Sequence, residues 1–201
     1  YECYGIDGMR ALDATVDYIR SKYPEIFLIA DAKRGDIGNT AKMYAKAFFE
    51  EMDFDAVTIA PYMGADSVTP FLEYKDKWAI VLALTSNASA YQFQNAQKDG
   101  KPLYQAVMEE MMEISTPDNM MFVVGATKAD KLQELRGFCP DNFFLVPGVG
   151  AQGGSAEEVI AHGANDHGGL LINSSRGILF ADHTENFAQV AAEVAAKTAN
   201  L

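Results

Sequence analysis

An apolar run gives way abruptly to charge at residues 26–36, which read IFLIADAKRGD. The run at 26–30 is short and continuous, as is typical of a parallel strand that is buried on both faces. Because side chains alternate along a strand, Ile29, Asp31 and Lys33 share one face. A charge on a core-facing side is costly unless it is paired, and barrel enzymes carry their chemistry at the carboxyl ends of parallel strands. The pattern therefore predicts a functional Asp–Lys pair, with a purely structural ion pair as the alternative.

Five more apolar runs follow the first, and amphipathic segments separate them. The runs lie at 56–60, 79–84, 121–124, 143–146 and 170–172. A helix is predicted before the first strand, and its apolar face is formed by Ile6, Met9, Leu12, Val16 and Ile19. Further helices are predicted at 39–52, 103–112, 128–136, 155–163 and 185–197. Gly137 is expected to stop the helix at 128–136. This alternation indicates the α/β class with a parallel sheet. No linker interrupts residues 1–201, so we expect a single domain.

The strand count leaves two architectures open. Six strands in 201 residues fit an open doubly wound sheet. They equally fit a (β/α)8 barrel that lacks its first two strands, because a complete barrel takes about 250 residues. The chain begins without Met and inside patterned sequence, so we expect further sequence upstream of Tyr1.

Charge and cysteine content exclude several classes of protein. Lys plus Arg total 16 and Asp plus Glu total 28, so the net charge is −12. Such a surface repels phosphate backbones and disfavours binding to nucleic acid or anionic membranes. No apolar run approaches the roughly 20 residues of a membrane span. Cys3 and Cys139 lack CxxC spacing, which predicts neither a disulfide framework nor a zinc site and favours a reducing cytosol.

Lys33 is flanked by acids, which restricts the chemistry that it can perform. Gly35 permits a turn, and Asp36 then adds a second carboxylate. Nearby carboxylates stabilise an ammonium ion, whereas a lysine that forms a Schiff base must be neutral. The pattern suits a lysine that donates a proton or stabilises a developing anion.

Two later loops have the composition of an anion site. Residues 147–154 read PGVGAQGG before a helix start near Ser155, and residues 173–177 add Arg176. Open backbone N–H groups and a guanidinium suit a phosphate, which barrels bind after their last two strands. Residues 148–153 also match GxGxxG, but a dinucleotide fold places that motif after its first strand. Glycines that serve only a tight turn remain an alternative.

Together these motifs resemble the orotidine 5′-phosphate decarboxylase family, over essentially the whole chain. Residues 31–40, DAKRGDIGNT, look like that family's DxKxxDI signature. The segments 85–87, 147–154 and 173–178 resemble its later motifs in the same order, and the bacterial branch is the most similar. The resemblance implies a (β/α)8 barrel, here with six of eight strands, and cofactor-free decarboxylation of orotidine 5′-phosphate to UMP in the cytoplasm.

The resemblance also implies a role for each site residue. It places Asp31 and Lys33 in the site, and it brings Asp36 and Thr40 in from the second subunit of a homodimer with shared sites. Ser86 would contact the pyrimidine, and the phosphate would be held by Gln152 and Arg176. No metal or organic cofactor is expected.

Two other functions remain open at this stage. The family's first strand, with a ribose-binding Asp, and a Lys of its second strand would precede Tyr1, with residues 1–2 as the tail of that second strand. A noncatalytic nucleotide-binding fragment is therefore one alternative. The other is a related Mg²⁺-dependent sugar-phosphate decarboxylase or synthase; residues 85–87, Gln152 and insensitivity to EDTA would distinguish the two enzymes.

Overall fold

The computed structural model describes residues 1–125, 129–148 and 155–199. Within these ranges the strands are β1 Ile29–Arg34, β2 Ala56–Ile59, β3 Trp78–Leu84, β4 Gln97–Lys98, β5 Lys101–Pro102, β6 Met120–Val124, β7 Phe144–Pro147 and β8 Leu170–Asn173. The helices are α1 Gly5–Lys22, α2 Gly38–Lys46, α3 Thr69–Leu72, α4 Leu103–Glu113, α5 Ala129–Phe138, α6 Ala156–Gly163, α7 Arg176–Leu179 and α8 Phe187–Ala199. A π-helical turn, Ala47–Glu51, continues α2.

The sheet order distinguishes between the two predicted architectures. Six strands form one sheet in the order β1-β2-β3-β6-β7-β8, and the registered pairs run parallel. A doubly wound sheet reverses its strand order at a switch point, whereas neighbours in a barrel follow chain order. The order therefore fits six successive β/α units of a barrel. The antiparallel pair β4–β5 between β3 and α4 was not predicted.

Several predicted boundaries are wrong, each for a local reason. The first strand covers Ile29–Arg34 rather than 26–30, because the N–H of Leu28 is held by the Asp55 carboxylate instead of by a neighbouring strand. Helix α5 does not stop at Gly137 but continues to Phe138, since the N–H of Cys139 still bonds back to the Leu135 carbonyl.

Both ends of the chain also differ from the prediction. Residues Glu2–Tyr4 form a 3-10 turn in place of a strand tail. The last helix begins at Phe187, not at 185, because the N–H groups of Asn186 and Phe187 bond back to Thr184 in a turn. In α1 the predicted apolar face is partly covered: Val16 is buried, Met9, Leu12 and Ile19 are half-buried, and Ile6 is 72 % exposed.

The chain divides into two compact units, and each has its own apolar core. The first unit comprises residues 1–81 and 113–120, and the second comprises 82–112 and 121–201. Buried aromatic rings dominate the first core, at Phe48, Phe49, Phe54 and Phe71. The second core is centred on Met108, Phe122, Leu132, Leu135 and Phe144. The expectation of a single domain remains a prediction. No helix in the described ranges is long and apolar enough to cross a membrane.

Candidate functional site

The first strand carries an irregularity at its charged residues. Ala30 pairs with Val57 and Arg34 with Ile59, so three residues of β1 stand opposite the single residue Thr58 of β2. Lys33, inside this bulge, has a φ of 47°, in the left-handed region that costs a non-glycine residue about 1–3 kcal/mol. The expected regular alternation from 29 to 33 is therefore interrupted, because β-bulges re-aim the side chains that they contain.

Asp31 and Lys33 form an ion pair within the bulge. Lys33 Nζ donates to Asp31 Oδ1 at 2.6 Å, and both side chains are about half exposed (52 % and 57 %). The position of these residues on the strand had suggested that their charges are buried in the core. The structure instead exposes both charges to solvent. A pair this exposed contributes about 0–1 kcal/mol to stability, which does not exceed the backbone strain at Lys33. A structural ion pair alone does not account for the arrangement.

A buried hydroxyl connects the two charged residues through the neighbouring strand. Thr58 Oγ1 accepts the backbone N–H of Lys33 at 2.9 Å and donates to Asp31 Oδ1 at 3.0 Å. Thr58 is fully buried. Sequence reasoning missed this residue, although a polar side chain inside the apolar run 56–60 was an available signal.

The turn after β1 places the other two predicted residues of this region at the start of α2. Asp36 Oδ1 accepts the N–H of Ile37 at 2.8 Å, and Thr40 is exposed in the first turn of the helix. The backbone of Ala60 comes close to residue 35, where a Cβ would lie 3.0 Å from the Ala60 carbonyl oxygen. This close approach favours glycine at position 35. The structure brings together Asp31 and Lys33, whereas the Asp36 carboxylate caps the backbone of its own turn.

In the second unit, the carboxyl end of β3 is fixed by a side chain that sequence reasoning overlooked. Gln94 accepts the N–H of Thr85 and donates to Thr85 Oγ1, both at 2.8 Å. Thr85 Oγ1 in turn donates to Asn87 at 2.6 Å. Ser86 is half-buried beside Gly125, where a Cβ would come within 2.9 Å of the serine. The predicted Thr-Ser-Asn segment is thus held by side-chain hydrogen bonds and by its close approach to Gly125.

A cavity of about 270 Å³ adjoins this segment. Its walls include Ser86, Asn87, Asn95, Tyr104 and Lys131. A hydrogen bond to Glu134 raises the pKa of Lys131, which keeps that ammonium charged. Amides, hydroxyls and the Lys131 ammonium line the cavity together with apolar groups such as Leu84 and Ala88, so it suits a ligand with both polar and apolar parts.

The predicted phosphate residues lie in the second unit as well. Arg176 is exposed at the first position of α7, just after β8, and Ser175 beside it bonds to Asn173 at 3.0 Å. Gln152 and most of the glycine-rich loop lie outside the described residues. Ser155 caps α6 as predicted, accepting the N–H of Glu158. The first turn of α6 already carries two glutamates, so Arg176 is the better candidate for an anion.

Polar and charged side chains in both units follow parallel strands, at their carboxyl ends or in the bulge of β1. This placement, with strands and helices alternating in barrel order, defines an enzyme of the β/α-barrel class. The model of the Orotidine 5′-phosphate decarboxylase / HUMPS family matches residues 3–191, and the chain belongs to that family.

Individual relatives agree with this family. The chain is 56 % identical over 191 residues to orotidine 5′-phosphate decarboxylase of Christiangramia forsetii, covering 95 % of the chain and 70 % of the relative. It is 54 % identical to the Phocaeicola vulgatus protein of the same name, covering 98 % and 73 %. Among solved structures, Leishmania donovani OMP decarboxylase superposes with a TM-score of 0.83 at 35 % identity, covering 96 % of the chain and 74 % of that structure. The fold class is therefore that of an incomplete (β/α)8 barrel.

Proposed function

We propose that this chain removes CO2 from orotidine 5′-phosphate and releases UMP. The family membership supports the reaction, and the observation that carries it is the Lys33–Asp31 contact of 2.6 Å in the β1 bulge. This contact provides a cation next to an anion at the position where a barrel enzyme binds its substrate.

In the proposed step the bond between C6 of the pyrimidine and its carboxylate breaks. The electron pair stays on C6, CO2 departs, and the Lys33 ammonium stabilises the carbanion and transfers a proton to it. Asp31 lies near the departing carboxylate and repels it. Solvent then returns a proton to the lysine. The reaction needs no electron acceptor or donor, and we propose that it runs without a metal or an organic cofactor.

The energies involved show that repulsion by Asp31 cannot account for the reaction alone. Two like charges about 4 Å apart repel by about 4 kcal/mol at an effective dielectric constant of 20. Enzymes lower their barriers by about 8–23 kcal/mol. Repulsion from Asp31 alone is therefore too small, and stabilisation of the carbanion by Lys33 must also contribute. Binding energy from the remote phosphate contributes as well.

The other predicted residues complete the proposed site. Ser86 contacts the pyrimidine, while Gln152 and Arg176 hold the phosphate. Asp36 and Thr40 reach the site of a second copy in a homodimer. Thr40 is exposed between two exposed apolar side chains, Ile37 at 49 % and Met43 at 50 %, which supports this arrangement because apolar patches on a surface often mark an interface. We propose that this reaction serves de novo pyrimidine synthesis and that the protein acts in the cytoplasm.

The decisive assay is conversion of orotidine 5′-phosphate to UMP, with CO2 release, in the presence of EDTA. Turnover that survives EDTA supports the proposal. Turnover of a sugar phosphate that requires Mg²⁺ would instead indicate the related sugar-phosphate enzymes. Binding of UMP without CO2 release would indicate a noncatalytic nucleotide-binding protein.

A further inference from the structure

Thr58 is a buried polar residue in the centre of an apolar strand. All four residues of β2 are buried, and Thr58 is 0 % exposed. A hydroxyl in such a place is costly unless it is hydrogen-bonded, and an aliphatic residue would pack there without that requirement. The two bonds that Thr58 makes, to Lys33 and to Asp31, therefore offset the cost of burying its hydroxyl.

The direction of both bonds follows from the chemistry of the partners. A backbone N–H can only donate, so Thr58 Oγ1 accepts from Lys33. An ionised carboxylate can only accept, so the single hydroxyl proton goes to Asp31 Oδ1. The same Oδ1 atom also accepts from Lys33 Nζ. One hydroxyl group thus contacts the backbone of Lys33 and the side chain of Asp31 together.

The bulge explains why a side chain is needed at this point. With three residues of β1 opposite one residue of β2, the regular ladder supplies no backbone carbonyl of β2 for the N–H of Lys33. The Thr58 hydroxyl takes that place and holds Lys33 at its left-handed φ of 47°. The backbone angle sets the direction in which the lysine side chain leaves the strand.

We propose that Thr58 is a positioning residue for the reaction: its hydroxyl holds the Asp31 carboxylate and the Lys33 ammonium in one fixed arrangement. This inference rests on the proposed function. Because Thr58 is fully buried and its hydroxyl bonds to Lys33 and Asp31, it acts through these two residues. Its loss should lower kcat and leave nucleotide affinity nearly unchanged, since displacement of a reacting group by about 1 Å can cost about 100-fold in rate.

The test compares Thr58→Val, which keeps the shape and removes the hydroxyl, with Thr58→Ser, which keeps the hydroxyl. We expect kcat to fall by about 10- to 100-fold in the valine variant, with KM and the Kd for UMP within about threefold of wild type. The serine variant should recover most of the rate. Thr69→Val is the matched control, because Thr69 is an exposed threonine of α3 whose hydroxyl donates to the Ala65 carbonyl four residues earlier; the kcat of this variant should not change.

Wild-type kcat in Thr58→Val would overturn the inference, and so would equal losses in the valine and serine variants. If the valine variant fails to fold, as judged by thermal unfolding and UMP binding, Thr58→Ala takes its place under the same criteria. Hydrogen exchange at the Lys33 amide separates this inference from the proposed function. The amide should be protected in wild type and in Thr58→Ser and should exchange faster in Thr58→Val, even if orotidine 5′-phosphate proves not to be the substrate.

Discussion

At the scale of single residues, Arg176 is the clearest test of the proposed phosphate site. It is exposed directly after β8, at the first position of α7. Charge-assisted hydrogen bonds contribute about 1.5–3 kcal/mol each, so Arg176→Ala should weaken UMP binding by roughly 10- to 150-fold. Calorimetric titration with UMP and with uridine measures this effect. Uridine lacks the phosphate, and its affinity should not change; an unchanged affinity for UMP would remove Arg176 from the phosphate site.

The charged residues of β1 could be picked out from the sequence, whereas their geometry could not. Asp31 and Lys33 stood out because charges at the end of an apolar run are conspicuous. The bulge did not, since regular alternation gives no sign that Lys33 has a positive φ. Thr58 and Gln94 were missed because each acts through contacts with residues that are distant in the sequence: 25 positions separate Lys33 from Thr58, and 9 separate Thr85 from Gln94.

At the scale of elements, Arg136 joins the end of α5 to the segments around it. Its guanidinium stacks 4.0 Å from the centre of the Phe144 ring. It also donates to five backbone carbonyls, those of Cys139, Pro140, Asn142, Gly163 and Gly169. The burial that these contacts require lowers the pKa of the guanidinium.

We expect Arg136→Met to lower the free energy of unfolding by about 2–4 kcal/mol, because the carbonyls lose their donors together. Urea unfolding, followed by circular dichroism, measures the change. Arg10→Met is the control, since Arg10 makes only an exposed ion pair with Asp7. A shift in the urea midpoint no larger than that of the control would show that the network around Arg136 does not stabilise the fold.

The thiols of Cys139, one residue beyond α5, and of Cys3 should differ in reactivity. Burial raises the pKa of the Cys139 thiol to about 11, whereas Cys3 is exposed. The thiolate is the reactive form, and at pH 8 only about one Cys139 in a thousand is ionised. Ellman's reagent should therefore modify one of the two thiols quickly in the folded protein and both in denaturant. Rapid reaction of both in the folded protein would contradict the burial of Cys139.

The Cys139 thiol also contributes to the pH dependence of stability. Its pKa is higher in the folded state than its ordinary value of 9.0. The contribution of this thiol to the free energy of unfolding is therefore present below about pH 9 and is lost as the pH rises toward 11.

At the scale of the whole molecule, the proposed homodimer makes a specific prediction about mixed subunits. Lys33 is proposed to serve the site of its own chain, and Asp36 is proposed to serve the site of the other chain. Lys33→Ala and Asp36→Asn should each be inactive alone. Mixing them under conditions that exchange subunits should restore up to about half of the wild-type activity per hybrid dimer, because one of its two sites is intact. A mixture that stays inactive after subunit exchange has been verified would contradict shared sites.

The architecture of the whole molecule followed from the sequence more fully than its details did. All six runs of the parallel sheet were recognised, because strands buried on both faces read as continuous apolar segments. The β4–β5 pair was not, since its four residues are polar or proline and carry no apolar pattern. The choice between a barrel and a doubly wound sheet depended on strand order, which no local pattern encodes.

The proposed role of the Lys33 ammonium, which is to neutralise the carbanion at C6, is tested by comparing Lys33→Ala with the wild-type enzyme. Turnover of orotidine 5′-phosphate and the Kd for UMP are measured for Lys33→Ala and for the wild-type enzyme. The account predicts that decarboxylation falls below detection while UMP binding remains measurable. Decarboxylation by the variant at a rate close to that of the wild type would contradict it.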